Sequence, residues 1–146
     1  MKKVIENKVF FKTIADSLNK HESVSFIVKG QSMKPFLINQ KSEVFIQKKD
    51  CYAKKDICLF IKNNQYYLHR LIKIKNGRYV FRGDHLYKKE VVQEKDILGY
   101  VYQFEHFNQR IQTNHWIYRL KVNGYLMFKS IKILLRKIYR GVFHGN

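Results

Sequence analysis

The sequence has few acidic residues, one proline and two cysteines. A proline-rich linker and a disulfide framework are therefore not expected. No run of about 18 uncharged apolar residues occurs, so the sequence predicts no membrane-spanning helix. The N-terminal segment meets Glu6 and Lys8 before any apolar run forms, which is not the pattern of a secretory signal.

The shortage of acid leaves a large positive charge. Asp and Glu number 11 against 29 Lys and Arg, which gives a net charge of +18. Such a charge indicates an anionic partner, and nucleic acid and acidic lipid headgroups are the two main candidates. A third explanation needs no partner, since an AT-rich coding bias also raises lysine together with Asn, Ile, Tyr and Phe. Charge alone does not choose among the three.

The two cysteines, Cys51 and Cys58, have no His or Cys neighbours at the spacing of metal ligands. We therefore predict neither a metal site nor a bound cofactor. Both cysteines are expected to line the core as small apolar residues, which is compatible with a reducing cytosol.

The middle of the chain has the pattern of a β domain. Apolar spacing predicts a short amphipathic helix over residues 6–20. Period-two alternation and β-branched or aromatic runs predict strands at 24–29, 44–47, 57–62, 66–74, 78–82 and 97–104. Asn76-Gly77, between two such runs, predicts a tight hairpin turn. With 146 residues, of which 45% are apolar, the chain is expected to form one mainly β domain with a compact, coiled sheet.

The last third of the chain is basic and amphipathic. Residues 115–140 contain no acid, and apolar residues recur at three- and four-residue steps. The pattern predicts a helical tail, with Asn123-Gly124 as a point where it could divide into two helices. Two interpretations stay open. The tail lies reversibly on an anionic membrane surface, or it packs on its own sheet with the lysines facing water.

The segment from Gly30 to Pro35 follows a predicted strand and contains one serine, Ser32. A glycine and a proline on either side restrict the backbone, which favours an outward-facing hydroxyl. Serine needs a base within hydrogen-bonding distance to act as a nucleophile. His69 lies within a predicted strand and has an ordinary pKa near 6.5, which suits proton transfer at neutral pH.

Four short motifs lie between about residues 24 and 104: Gly30-x-Ser32-Met33-x-Pro35, His69-Arg70-Leu71-Ile72, Gly83-Asp84, and Leu98-Gly99-Tyr100-Val101. They occur in the order found in the type I signal peptidases and the self-cleaving SOS-response repressors, and the chain resembles that superfamily over this region. Most bacterial signal peptidases and the repressors have a lysine base at the second motif. This sequence has histidine there and resembles the histidine branch.

The resemblance implies the coiled β-sheet fold of the signal-peptidase and repressor C-terminal domains, and it implies roles for particular residues. Ser32 would be the nucleophile and its backbone amide an oxyanion donor, His69 the general base, and Asp84 the acid that orients His69. Two further candidates are Gln31, near the oxyanion, and Glu90, where the family often has a second acid. The motif residues in support are Gly30, Met33, Pro35, Arg70, Gly83 and Gly99.

We therefore predict an N-terminal helix (1–22), a catalytic β domain (23–104) and a basic helical tail (105–146). The predicted function is a serine endopeptidase that processes a peptide or a leader-like segment. Since the sequence lacks the hydrophobic helix that precedes the serine motif in signal peptidases, we expect the protein in the cytoplasm, peripheral to the inner face of the membrane if the tail binds lipid. Two alternatives stay open: a nucleic-acid-binding module, in which aromatics stack on bases, and an inactive relative that only binds peptides.

Overall fold

The computed structural model describes residues 2–143, with side chains from Lys8 onward. Residue 1 of the predicted N-terminal segment and residues 144–146 of the predicted tail lie outside the described residues. The chain divides into two compact units after Thr113. The first unit contains one helix and a sheet, and the second contains a single long helix.

The N-terminal helix, α1, covers Lys2–Asn19, and it begins earlier than the predicted 6–20. Ile14 and Leu18, four residues apart on one face, are buried. This face lies against two strands of the sheet, β1 (Val24–Ile27) and β7 (Ile97–His106). Tertiary burial of the apolar face therefore stabilises the helix, as is usual for helices of this length.

The strands of the sheet are β1 (Val24–Ile27), β2 (Glu43–Gln47), β3 (Ile57–Lys62), β4 (Gln65–Lys75), β5 (Arg78–Arg82), β6 (Lys89–Gln93), β7 (Ile97–His106) and β8 (Gln109–Gln112). All pairs of neighbouring strands are antiparallel, and the order across the sheet is β1-β2-β7-β3-β4-β5-β6, with β8 paired to β7. A short 3-10 helix at Glu94–Asp96 joins β6 to β7. The mainly β fold with helices at both ends is confirmed.

Two strands were not predicted. In β6, Glu90 and Val92 are buried and their neighbours are exposed, so a charged residue occupies an inward position and hides the period-two pattern. Residues 105–112, which we assigned to the helical tail, instead form the end of β7 and all of β8. Phe107 and Asn108 have positive φ in the turn between these strands, a conformation that propensity does not predict for phenylalanine.

The predicted hairpin at Asn76-Gly77 is confirmed. It joins β4 to β5, with φ of 52° at Asn76 and 69° at Gly77, the signs that a type I′ turn requires. This turn sets the register from Lys75 to Lys73, and a bulge between Leu71 and Lys73 then shifts it by one residue, so that Arg70 lies opposite Arg82. The same register decides which acidic residues can reach His69.

The core of the sheet is aromatic. The Phe60 ring stacks on Phe81 at a centroid distance of 4.4 Å and on Tyr67 at 5.5 Å. Cys58 is completely buried in this cluster, as expected. Cys51 is exposed, so its predicted place in the core is wrong; both cysteines are free thiols. The core therefore fixes strands β3, β4 and β5, and β4 contains His69.

The second unit is the helix α2, which covers Trp116–Phe143. It runs without interruption through Asn123 and Gly124, so the helix is not divided there. A glycine inside a helix costs only about 1 kcal/mol, and the apolar pattern continues on both sides. Within residues 2–143, neither helix combines the length and the apolarity that a bilayer crossing requires.

Candidate active site

Ser32 lies in a tight turn that follows β1. The Gly30 amide donates to Oδ1 of Asn39 at 2.9 Å, and the Leu37 amide donates to the Met33 carbonyl at 3.0 Å. Met33 and Leu37 are buried and hold the turn against the core, while Ser32 itself is half-buried. The turn is therefore fixed on both sides of a serine that keeps partial access to solvent.

His69 lies on β4 and is only 6% exposed. It pairs with Cys58 of β3, and the centroid of its ring lies 6.1 Å from that of Phe60 and 5.7 Å from that of Tyr67. Its Nδ1 is buried and has no hydrogen-bond partner among the described residues. Burial lowers the pKa of His69, and the negative charges of Glu90 and Asp84 oppose that change. The imidazole is therefore neutral at pH 7 and can accept a proton.

Ser32 and His69 line one cavity of about 610 Å³. Most of its remaining wall is aromatic or aliphatic. Phe11 stacks on Tyr66 at 5.0 Å and meets Phe26 edge-on at 5.6 Å, so α1, β1 and β4 each contribute a ring. The apolar side chains of the wall include Phe10, Phe11, Phe26, Leu59, Tyr66 and Leu68.

Asp84 does not make the contact that we predicted. Its two carboxylate oxygens accept hydrogen bonds from Nε and Nη2 of Arg70, at 2.8 and 2.7 Å. Both side chains of this ion pair are 1% exposed. Successive side chains of a strand point to opposite faces. Arg70 therefore points to the other face of β4 from His69, and it lies opposite Arg82 at the end of β5. Asp84 lies two residues beyond Arg82, in the turn that follows, and its carboxylate pairs with the guanidinium rather than with the imidazole.

The loop that contains Asp84 contacts the serine turn directly. The His85 amide donates to the Ser32 carbonyl at 2.8 Å. Gly83 lies so close that a Cβ atom there would stand 2.7 Å from the same carbonyl, closer than real Cβ atoms come. The Arg70–Asp84 pair thus joins β4, which contains His69, to the loop at residues 83–85, which contacts the Ser32 carbonyl.

Glu90 is the acid on the His69 face. It pairs with Phe81 of β5, Phe81 pairs with Leu71 of β4, and His69 is two residues before Leu71. Glu90 is 6% exposed and accepts a hydrogen bond from Lys62 at 2.6 Å. The Lys62 and Lys88 ammonium groups lower the pKa of Glu90, so the carboxylate is ionised at neutral pH. Of the two acids, Glu90 has the larger effect on the pKa of His69.

The remaining motif residues have structural positions. Gln31 is exposed at the start of the serine turn, and its carbonyl accepts from the Lys34 amide at 3.3 Å. Pro35 lies in the same turn, after a cis peptide bond. At Gly99, a Cβ would stand 2.8 Å from Cγ2 of Ile46, so the close approach of β2 and β7 requires glycine.

Sequence reasoning missed two features of the site. The cavity wall was not foreseen, because Phe10 and Phe11 were interpreted only as part of an amphipathic helix. Arg70 was treated as motif support rather than as the partner of Asp84. The sequence did indicate the Arg70–Asp84 pair, because an arginine inside an apolar strand is rarely buried without an acid.

Comparison with known proteins gives one family. A family model described as Peptidase S24-like matches residues 3–102, more than half of the chain. The matched region contains Ser32, His69 and Asp84, and it confirms the superfamily that the four motifs resemble. No curated protein matches the chain.

Proposed function

Because this chain belongs to the Peptidase S24-like family, we propose that it is a serine endopeptidase in which Ser32 is the nucleophile and His69 the general base. The observation that carries the proposal is that both residues line one cavity. Family membership alone supports a peptidase more weakly, since the family also includes non-catalytic members.

The first step follows from the state of His69. The neutral imidazole accepts the hydroxyl proton of Ser32 while Oγ attacks the substrate carbonyl, which gives a tetrahedral intermediate and an imidazolium ion. The imidazolium then donates that proton to the leaving amine, and the peptide bond breaks. Water, deprotonated by the same imidazole, hydrolyses the acyl ester and restores Ser32.

The oxyanion donor in this proposal is the Ser32 amide. Within the described part of the chain this amide makes no hydrogen bond, so it is free to donate to a substrate oxygen. The serine turn and the His85 contact hold it in place before substrate arrives. A donor fixed in advance stabilises charge that develops in the transition state without having to reorganise.

We assign different roles to the two acids. Glu90 stabilises the imidazolium electrostatically, because it shares the face of His69 and is ionised. Asp84 acts as a positioning residue: through Arg70 it fixes the loop that contacts Ser32.

The cavity also indicates the class of substrate. A volume of about 610 Å³ exceeds what one small side chain fills, and it falls in the range of ordinary ligand pockets. Aromatic and aliphatic walls favour apolar groups. We therefore expect cleavage next to large apolar or aromatic residues of a peptide or leader-like segment.

A peptide library tests the proposal. The protein is incubated with the library, and new termini are identified by mass spectrometry. Ser32→Ala and His69→Asn are expected to abolish cleavage. The matched controls Ser25→Ala and His21→Asn replace exposed residues outside the cavity and are expected to preserve it. Cleavage that survives Ser32→Ala would overturn the mechanism.

The same variants separate the alternatives. An inactive peptide-binding relative would bind library peptides and release no new termini, in the wild type as in Ser32→Ala. The charge of +18 keeps nucleic-acid binding as a second candidate. In that case the protein would bind DNA or RNA with a strong salt dependence that Ser32→Ala leaves unchanged.

A further inference from the structure

One face of α2 is apolar and open to solvent. At about 3.6 residues per turn, the large apolar residues of this face stack along the helix, and each is between 49% and 69% exposed. They are Trp116, Leu120, Met127, Ile131, Leu134 and Ile138. Soluble proteins rarely expose a continuous apolar surface of this extent unless it binds something. We call these six residues the apolar stripe.

Cations flank the exposed apolar surface of α2 on both sides. Helical spacing puts Arg119 and Lys137 along one edge. On the other side the exposed residues Ile117, Phe128 and Leu135 widen the apolar surface, and Lys121 and Lys132 lie beyond them. The 28 residues of α2 include no Asp or Glu. Long basic side chains can cover apolar surface with their stems while the charged ends reach outward, which suits a position between lipid tails and phosphate groups.

We propose that α2 binds in the plane of an anionic phospholipid bilayer, with the apolar stripe inserted among the acyl chains and the flanking cations on the headgroup phosphates. A helix of 28 residues at about 1.5 Å per residue gives an extended contact parallel to the surface. This mode needs no bilayer crossing, and it is typical of helices with an apolar face and a basic polar face.

Two other occupants fit less well. A second copy of the helix would cover the apolar stripe, but it would bring cations of both copies together with no acid on α2 to pair with them. Nucleic acid would neutralise the cations and leave the apolar stripe in water. An anionic bilayer satisfies both the charge and the apolar surface.

Trp116 is the only tryptophan of the chain and lies in the apolar stripe, so its fluorescence reports burial of this face directly. The full protein is mixed with phosphatidylcholine vesicles with and without phosphatidylglycerol. Vesicles with phosphatidylglycerol are expected to bind the protein, shift Trp116 emission to the blue and protect it from aqueous quenchers. High salt is expected to weaken the binding.

Paired variants test the two parts of the surface. Lys132→Gln with Lys137→Gln is expected to weaken binding about 25-fold, at about fivefold per cation. The control pair, Lys73→Gln with Lys75→Gln, removes two exposed cations of β4 and is expected to change binding little.

For the apolar stripe, Leu134→Gln with Ile138→Gln is expected to abolish the blue shift. The control pair, Ile74→Gln with Val91→Gln, replaces apolar residues of the sheet that are 44% and 43% exposed, and it is expected to preserve the shift. All four pairs are expected to cleave soluble peptides at the wild-type rate, so this test and that of the peptidase can fail separately.

Three outcomes would overturn the proposal. Equal binding to vesicles without phosphatidylglycerol would remove the role of the cations. Trp116 emission that shifts with protein concentration in the absence of lipid would point to a second copy. Displacement of the vesicles by single-stranded DNA, with Trp116 emission left unshifted, would point to nucleic acid.

Discussion

Replacing Asp84 by asparagine is expected to destabilise the folded protein by about 3–5 kcal/mol. The carboxylate makes two hydrogen bonds to Arg70, and both side chains are 1% exposed. The asparagine variant would leave a buried guanidinium without its anion. A loss of this size is a large fraction of the 5–15 kcal/mol that stabilises a typical domain.

Urea unfolding measures the effect, and a surface pair of the same kind is the control. Glu105 and Arg110 are 33% and 64% exposed at a distance of 3.4 Å, so Glu105→Gln is expected to cost no more than about 1 kcal/mol. If Asp84→Asn costs no more than Glu105→Gln, the buried pair does not hold the loop as we argue.

A double variant separates the loss of the ion pair from the cost of leaving one of its charges buried alone. In Arg70→Met with Asp84→Leu both charges of this pair are absent, so neither of the two stays buried without the other, and much of the lost stability is expected to return. Peptide cleavage is expected to fall in Asp84→Asn at temperatures where the variant is still folded, because the loop positions the Ser32 carbonyl. Folded Asp84→Asn with wild-type cleavage would contradict the positioning role.

Three further predictions concern the site. Because burial lowers the pKa of His69, the rise of kcat/KM with pH is expected to have its midpoint below about pH 6.5. Glu90→Gln removes a charge that raises this pKa and is expected to move the midpoint to still lower pH. A midpoint that does not move would contradict the role of Glu90. Gly83→Ala is expected to reduce kcat, because the added Cβ would displace Ser32. Gly124→Ala, whose Cβ meets no atom within 4 Å, is expected to leave kcat unchanged and to raise stability by up to about 1 kcal/mol. Equal kcat in both variants would refute the close packing of Gly83 on the serine turn. Phe11→Ala is expected to relax the preference for large apolar residues in the peptide library without abolishing cleavage, and an unchanged preference would exclude this wall as the substrate site.

Ser32 and His69, which line one cavity, could be selected as candidates from the sequence because their motifs are local. Gly30 to Pro35 and His69-Arg70 are short segments, and the strand before or around each follows from apolar alternation. The four motifs also predicted the family, which the match over residues 3–102 bears out.

The partners of the two acids depend on strand register, which the motifs do not contain. Arg70 opposite Arg82 turns Asp84 towards the guanidinium, and Phe81 opposite Glu90 turns that acid towards the His69 face. Since the hairpin at 76–77 was predictable, the register could have been counted out from it, except that a bulge between Leu71 and Lys73 shifts the count. The bulge leaves no clear mark in the sequence.

The cavity depended on tertiary packing. Phe11 belongs to α1 and Tyr66 to β4, and nothing in their local sequence indicates that the rings stack. The strands β6 and β8 were missed for a related reason: a buried acid and a turn through Phe107-Asn108 both run against local propensity. Long-range contacts therefore determine the cavity and the strands β6 and β8.

The central claim is that Ser32 performs the chemistry, and kcat/KM for one cleaved peptide tests it most directly. Wild type, Ser32→Ala and Ser25→Ala are compared with each protein shown to be folded. We predict that Ser32→Ala lowers kcat/KM by a factor of about 10³ or more, while Ser25→Ala stays near wild type. An equal rate in Ser32→Ala and wild type would contradict the account.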